Sequence, residues 1–121
     1  MASGVVVPKP WGSELIWAHT DAYAAKILSI TAGKRLSLQF HELKTETIMV
    51  AEGRLLLHFG PTADDIETKE LVAGESFHVP VRLVHRFEAI EDTKLIEVST
   101  AELDDVVRLS DDFGREGTTE A

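Results

Sequence analysis

The sequence predicts an all-β domain of the sandwich or barrel class, and three observations support this. Apolar and polar residues alternate from Arg35 to His41, which is the period of a half-buried strand. Short apolar runs recur about every 8 to 12 residues between turn residues, as in sandwiches and barrels. A chain of 121 residues has the size of one domain, so we expect residues 1–121 to form a single unit.

Turn residues divide the chain into candidate strands. An apolar run over 5–7 ends before Pro8, and Pro10-Trp11-Gly12 is a predicted turn. Ala51-Glu52-Gly53 is suited to a hairpin, and residues 60–65 are predicted to form a polar loop. The predicted strands are 5–7, 14–17, 24–30, 35–41, 47–50, 54–59, 68–72, 76–79, 84–90 and 94–99.

The ends of the chain carry separate predictions. Residues 101–109 are expected to form a short helical turn, because Thr100 can serve as its N-cap and acidic residues follow near its positive end. Residues 114–121 are small and polar and are expected to be a flexible tail. Residues 1–17 have the apolar and turn content of an arm exchanged between two subunits, so we predict a homodimer.

Composition narrows the function. Twelve basic against 21 acidic residues give a net charge of −9, which argues against nucleic-acid or anionic membrane partners. The chain has no cysteine, so disulfides and thiolate metal sites are excluded. Imidazole, carboxylate and amide ligands would suit Zn, Mn, Fe, Ni or Co. No signal peptide or membrane span is evident, so we expect a cytoplasmic protein.

Four donor residues are spaced so that neighbouring strands of one small β-domain could bring them together. Gln39 and His41 are two apart on one strand, so their side chains leave the same face. Glu46 starts the returning strand, and His85 lies on a later one. Such a set can hold a divalent ion and leave a coordination position open, as catalytic sites do. The remaining histidines are predicted to make ordinary hydrogen bonds: His19, His58 and His78.

These residues match the spacing of two motifs, and the chain thereby resembles the cupin family. The first motif, Gly-x5-His-x-His-x3,4-Glu-x6-Gly, is matched by Gly33, Gln39, His41, Glu46 and Gly53, with Gln39 in place of the first histidine. The second motif, Gly-x5-Pro-x-Gly-x2-His-x3-Asn, is matched by Gly74, Pro80 and His85, with Arg82 replacing glycine and Ala89 replacing asparagine. The resemblance implies a double-stranded β-helix, the jelly-roll barrel of cupins.

More narrowly, the chain is similar to the mannose-6-phosphate isomerase domain that ends bifunctional isomerase/guanylyltransferase enzymes, and to small stand-alone cupins. The similarity rests on Pro10-Trp11-Gly12-Ser13, Val84-His85-Arg86 and the stretches 35–41, 96–98, 104–109 and 111–115. It implies one divalent metal ion, typically zinc, with a sugar phosphate as the small-molecule substrate. The implied ligands are Gln39, His41, Glu46 and His85.

The reaction implied by the resemblance is aldose–ketose isomerisation. A metal would polarise the carbonyl, a base would move a proton, and cations would hold the phosphate. Arg35 shares the strand parity of Gln39, and Lys44 lies in the turn between two ligands, so both are candidates for this pocket. Glu97 is the candidate base, whereas Lys26 and Arg108 are weaker candidate cations.

Two other functions stay open. Many cupins are iron-dependent dioxygenases, although a glutamine ligand is less common there than a third histidine. A non-catalytic cupin that binds a sugar or sugar phosphate is the other alternative. The turn after Gln39 bears on this choice, because bifunctional enzymes usually read Gln-Tyr-His-His-His-Arg-x-Glu-His there. Residues 39–47 of this chain lack three of those histidines.

Overall fold

The computed structural model describes residues 4–117, and every regular element in that range is a β-strand. The all-β class predicted from the sequence is therefore confirmed. The strands are β1 (Val5–Lys9), β2 (Gly12–His19), β3 (Ala24–Ile30), β4 (Leu38–Phe40), β5 (Glu46–Glu52), β6 (Arg54–Thr62), β7 (Asp65–Val72), β8 (Ser76–Val79), β9 (Val84–Ala89), β10 (Thr93–Ser99) and β11 (Val107–Ser110). No helix among residues 4–117 is long and apolar enough to cross a membrane.

The strands form two antiparallel sheets whose inner faces enclose the core. The larger sheet has the order β1-β2-β3-β10-β5-β8, and the smaller has the order β11-β4-β9-β6-β7. Strand alternation turns Ile48 and Val50 of β5 inward, while Met49 between them is exposed. Leu55 and Leu57 of β6 reach the same core from the smaller sheet, and neither is accessible to solvent.

The predicted strand over 35–41 is shorter in the structure. Only β4 pairs there as a strand, and Arg35 makes an isolated bridge to Glu88. The reason is a break in alternation, because Leu36 and Ser37 are consecutive residues and both are buried. The predicted polar loop over 60–65 is also shorter, since β6 runs to Thr62 and β7 starts at Asp65.

The helical turn predicted over 101–109 is wrong. The segment instead forms irregular turns and then β11, which pairs antiparallel with β4. The Asp105 carboxylate accepts hydrogen bonds from the backbone N–H groups of Glu42, Leu43 and Lys44 at 3.1, 2.6 and 2.9 Å. Thr100 caps no helix, because its hydroxyl accepts a hydrogen bond from the Thr45 N–H. These contacts tie the segment to the loop between β4 and β5.

The two ends of the described chain lie against the body of the fold. Strands β1 and β2 form a hairpin at the edge of the larger sheet, with Val7 opposite Glu14. Exchange of this arm between subunits stays a prediction. At the other end, residues 114–117 form turns and a bend, and the rest of the predicted tail, 118–121, lies outside the described residues, as do residues 1–3.

Candidate metal centre

Three of the predicted ligands converge in the interior of the fold. The Nε2 atoms of His41 and His85 lie 3.0 and 3.2 Å from Oε1 of Glu46. His41 and His85 are each 1% exposed, and Glu46 is 3% exposed. His41 follows β4, Glu46 is the first residue of β5, and His85 lies in β9. The two sheets therefore contribute together to one buried group of metal-binding atoms.

Backbone hydrogen bonds fix the orientation of both imidazoles. Nδ1 of His41 donates to the Asp105 carbonyl at 2.6 Å, and Nδ1 of His85 donates to the Leu83 carbonyl at 2.9 Å. A carbonyl only accepts, so each Nδ1 carries a proton and each ring turns its Nε2 towards Glu46. This arrangement is typical of histidines that bind a metal.

The site has an unsatisfied buried atom that a cation would satisfy. Among residues 4–117, Nε2 of His85 is buried and makes no hydrogen bond. Two imidazole nitrogens and a carboxylate oxygen thus converge within 4.8 Å of one another. A divalent ion bound by these three atoms would satisfy Nε2 of His85, so the residues present fit such an ion.

The fourth predicted ligand, Gln39, lies next to this group. It is directly opposite His85 in the pairing of β4 and β9, so the two side chains share a face. Its Oε1 accepts a hydrogen bond from the Ser37 hydroxyl at 2.6 Å. Gln39 and Glu46 both line the cavity beside the ligands. The structure thus brings Gln39 to the same place as the other three residues.

The loop before His85 is held in a strained conformation. Arg82 has φ of 66°, in the left-handed region that normally favours glycine. Its N–H donates to the His41 carbonyl at 2.7 Å. This bond joins the loop to the strand end that carries His41.

A small cavity of about 40 Å³ lies beside the ligands. Its apolar lining residues are Trp11, Leu28, Leu36, Phe87 and Val106. Its charged lining residues are the cations Lys9, Lys26, Lys44, Arg108 and Arg115 and the acidic residues Glu14, Glu46 and Glu97. Cations still outnumber acidic groups when the Asp111 partner of Arg115 is added, although the net charge of the chain is −9. The cavity therefore favours an anion.

Two neighbouring carboxyls in this cavity have opposite protonation preferences. Burial and the nearby Glu46 carboxylate raise the pKa of Glu97 to about 8. Burial also opposes ionisation of Glu46, but the hydrogen bond from Glu97 and the contacts with the His41 and His85 imidazoles hold the pKa of Glu46 well below its usual value. At neutral pH in the metal-free protein, Glu97 is therefore the protonated partner and Glu46 is the carboxylate.

The lysines of the cavity are held by buried carboxylates. Nζ of Lys44 is 3.4 Å from Glu97 and 3.9 Å from Glu46. Burial alone would lower the pKa of Lys44, but these two carboxylates raise it above its usual value. Lys26 is 3.4 Å from Glu14. Lys44 therefore stays charged in a buried position.

Two of the three predicted catalytic residues line the cavity, namely Lys44 and Glu97. Arg35 is not among the lining residues, because its guanidinium binds the Asp112 carboxylate at 2.6 and 2.9 Å. Sequence reasoning missed Lys9, Glu14 and Arg115. Glu14 had a usable signal, since a charged residue on an inward strand position indicates a functional pocket. Arg115 had one as well, since it belongs to the stretch 111–115 on which the family resemblance rests.

The other histidines make the ordinary contacts that were predicted. His19 contacts the Ala101 carbonyl, His58 contacts Glu88, and His78 contacts the Thr47 hydroxyl. None belongs to a further metal-binding group within residues 4–117. The candidate centre is thus distinguished by convergence of its donors rather than by histidine content.

Solved structures with the same fold place the chain in a class. CapF of Staphylococcus aureus matches with a TM-score of 0.72 and 21% identity, over 91% of this chain and 35% of that chain. KdgF of Halomonas sp. matches with a TM-score of 0.72 and 23% identity, over 86% of this chain and 90% of that chain. An RmlC-like cupin of Shewanella frigidimarina matches with a TM-score of 0.69 and 17% identity, over 81% of this chain and 84% of that chain. The fold is that of a cupin.

Sequence comparison then gives the family. The family described as mannose-6-phosphate isomerase C-terminal matches residues 2–111, and the chain belongs to it. The alginate biosynthesis protein AlgA of Pseudomonas aeruginosa and a mannose-1-phosphate guanylyltransferase of Escherichia coli are each 32% identical over 114 residues. Each alignment covers 90% of this chain and 23% of the relative. The chain thus spans about a quarter of the length of these curated relatives.

Proposed function

We propose that this chain is a metal-dependent isomerase that interconverts an aldose phosphate and a ketose phosphate, as a mannose-6-phosphate isomerase does. One observation carries the proposal: the buried His41, Glu46 and His85 group adjoins a cavity whose charged lining residues favour an anion. Family membership supports the same reaction class. Zinc is the ion that this donor set suits best, and Mn, Fe, Ni or Co are alternatives.

In the proposed reaction, some residues of the cavity bind the metal and others transfer a proton. A divalent ion held by Gln39, His41, Glu46 and His85 would supply Lewis acidity for the carbonyl and the developing enediolate. Glu97 is the proton carrier, because its carboxyl lies in the cavity and its raised pKa suits proton transfer near neutral pH. Lys44 stabilises its ionised form from 3.4 Å.

The proposed phosphate site consists of the remaining cations of the cavity. Lys9, Lys26, Arg108 and Arg115 line it. The Glu14 carboxylate is 3.4 Å from Lys26 and 3.8 Å from Lys9. Burial and the neighbouring cations lower the pKa of Lys9. An anionic group bound there would relieve this repulsion, which gives the site a physical preference for a phosphate.

The test combines metal analysis with an activity assay. The protein as purified is expected to hold about one divalent ion per chain and to interconvert an aldose phosphate and a ketose phosphate. His85→Ala is expected to remove both, whereas His58→Ala, which changes a histidine outside the centre, is expected to keep both. The proposal fails if metal-loaded protein converts no member of a sugar-phosphate panel.

The altered turn favours a second candidate function, a cupin that binds a sugar phosphate without converting it. Leu43, in the turn between the ligands, is 70% exposed and carries no group for proton transfer. This candidate predicts that the metal-loaded protein binds a sugar phosphate but shows no turnover. Oxygen uptake with ferrous ion would instead support the dioxygenase alternative, which no observation on this structure favours.

We also propose a homodimer formed through the outer face of the larger sheet. A row of directly paired uncharged residues crosses five strands of that face: Val6, Leu15, Ile27, Ile96 and Met49. Two copies that each carry a net charge of −9 can meet there without placing like charges in contact. Light scattering should give a dimer for the wild type and for Thr68→Glu on the smaller sheet, but a monomer for Ile96→Glu. A wild-type monomer at micromolar concentration would contradict it.

A further inference from the structure

We propose that residues 111–117 form a strap across the cavity mouth and that Asp111 positions Arg115 for the anionic group of the ligand. The inference rests on the proposed function only in requiring an anionic ligand.

Asp111 controls where the Arg115 side chain points. The Asp111 side chain is 0% exposed, and its carboxylate accepts three hydrogen bonds from Arg115, from the backbone N at 2.7 Å, Nε at 2.8 Å and Nη2 at 3.1 Å. A fork of two side-chain bonds fixes the plane of a guanidinium. Arg115 lines the cavity with its side chain 22% exposed. It therefore lies at the mouth with its Nη1 group uncommitted to Asp111.

Asp112 forms a latch on the opposite side of the strap. Its carboxylate binds Nε and Nη2 of Arg35 at 2.6 and 2.9 Å, and Nη2 of Arg86 is 3.9 Å away. Arg35 and Asp112 are 36% and 40% exposed, so water competes with this pair and the latch is weak. Arg35 thus holds the strap through Asp112 and does not line the cavity.

Further contacts join the strap to the rest of the fold. Phe113 packs against the core from the edge, and Gly114 and Gly117 have φ of 75° and 78°, which permits a tight return of the chain. The Gly117 N–H donates to the Arg108 carbonyl at 3.0 Å. The closed strap leaves a cavity of about 40 Å³, which is room for a few water molecules and not for a sugar phosphate. Opening admits the ligand, and closing brings Arg115 to its anionic group.

Three variants test the strap in the full chain with inorganic phosphate as the probe. Asp111→Asn keeps the shape but loses the charge that orients Arg115, and we expect phosphate binding about tenfold weaker by calorimetry. Arg115→Gln should weaken it to a similar degree, and the double variant should be no weaker than Arg115→Gln alone. Asp64→Asn, in the turn between β6 and β7, is the matched control and should bind like the wild type.

Hydrogen exchange separates positioning from general destabilisation. Amides of residues 112–117 are expected to exchange about threefold faster or more in Asp112→Asn than in the wild type. Added phosphate should slow them in the wild type but not in Arg115→Gln. Circular dichroism and metal content should match those of Asp64→Asn, which excludes a folding defect.

The outcomes keep the strap and the isomerase proposals distinct. Phosphate binding that depends on Asp111, in a protein without isomerase activity, supports the strap and removes the isomerase. Equal phosphate affinity in all variants, a double variant weaker than Arg115→Gln, or no phosphate binding by the wild type overturns the strap, whether or not the protein isomerises sugar phosphates.

Discussion

The interior of the barrel has two halves that are built from the same strands but have opposite chemistry. In β5, Glu46 points into the charged cavity, and Ile48, two residues later, lies in the apolar core. In β10, Glu97 belongs to the cavity and Leu95 to the core. Because inward positions recur every second residue, one strand serves both halves. The difference between them comes from side-chain choice and not from backbone geometry.

The two halves contribute differently to stability. The apolar half removes leucine, isoleucine and valine side chains from water, which favours folding. The charged half buries ion pairs, and their desolvation offsets much of their attraction. Lys26, Lys44, Glu14 and Glu97 are each at most 5% exposed. We therefore expect the fold to depend on one half and ligand binding on the other.

The largest effect is expected in the apolar half. Leu57 is fully buried, so Leu57→Ala should lower the free energy of unfolding by about 2–5 kcal/mol in denaturant titration. Metal content measured on the folded protein should not change. Leu43→Ala, at a site that is 70% exposed, should change stability by less than about 0.5 kcal/mol. A loss below about 1 kcal/mol for Leu57→Ala would show that the core half does not carry the fold.

Metal binding should make the charged half contribute to stability. At a free metal concentration 100 times the dissociation constant, the free energy of unfolding should rise by about 2.7 kcal/mol. A chelator should reverse this gain. His85→Ala should show no metal-dependent gain, while His58→Ala should keep it. Equal gains in both variants would place the binding site elsewhere.

The stability of the metal-free protein should depend on pH through the charged half, and mainly through Glu97. Glu97 has a pKa of about 8 when folded and about 4.3 when unfolded, so the unfolded chain ionises first. The contribution of Glu97 to the free energy of unfolding is fully present below about pH 4.3. It is lost as the pH rises towards 8, by about 1.4 kcal/mol per pH unit. Glu46 is ionised in both states across this window and adds no slope. Thermal scans of Glu97→Gln should lack this decline; an unchanged slope would rule out Glu97 as its origin.

The smallest effect concerns strain next to the ligands. Arg82 adopts φ of 66°, so Arg82→Gly should raise the free energy of unfolding by up to about 1 kcal/mol. Val81→Gly, at the preceding residue without a positive φ, should lower it by about 0.5–1 kcal/mol. Denaturant midpoints of the two variants should therefore move in opposite directions. Equal losses would mean that Arg82 is not strained.

Residues on strands were predictable from the sequence because alternation fixes the face of each side chain. Gln39 and His85 are directly opposite each other in the structure, in line with the prediction that neighbouring strands bring the donors together. Glu97 also lines the cavity, although alternation alone had not fixed its direction. The metal ion and catalysis stay predictions.

Loops escaped prediction because their contacts are distant in sequence. Residues 101–109 have a helical pattern, but Asp105 satisfies backbone N–H groups about 60 residues earlier, including that of Lys44, and this tertiary contact overrides local propensity. Arg35 lost its predicted parity because Leu36 and Ser37 are both buried. Arg115 enters the cavity through a turn after the last strand, where no periodicity exists to indicate direction.

The origin of the ligands from both sheets has a kinetic consequence. Glu46 belongs to the larger sheet and His85 to the smaller one. Oε1 of Glu46 and Nε2 of His85 are 3.2 Å apart in the interior. An ion held by both residues would act as a cross-link between the two layers of the barrel. The two sheets could not separate until the ion was released. The residues that bind a catalytic metal would therefore also slow unfolding and protect the chain from proteases.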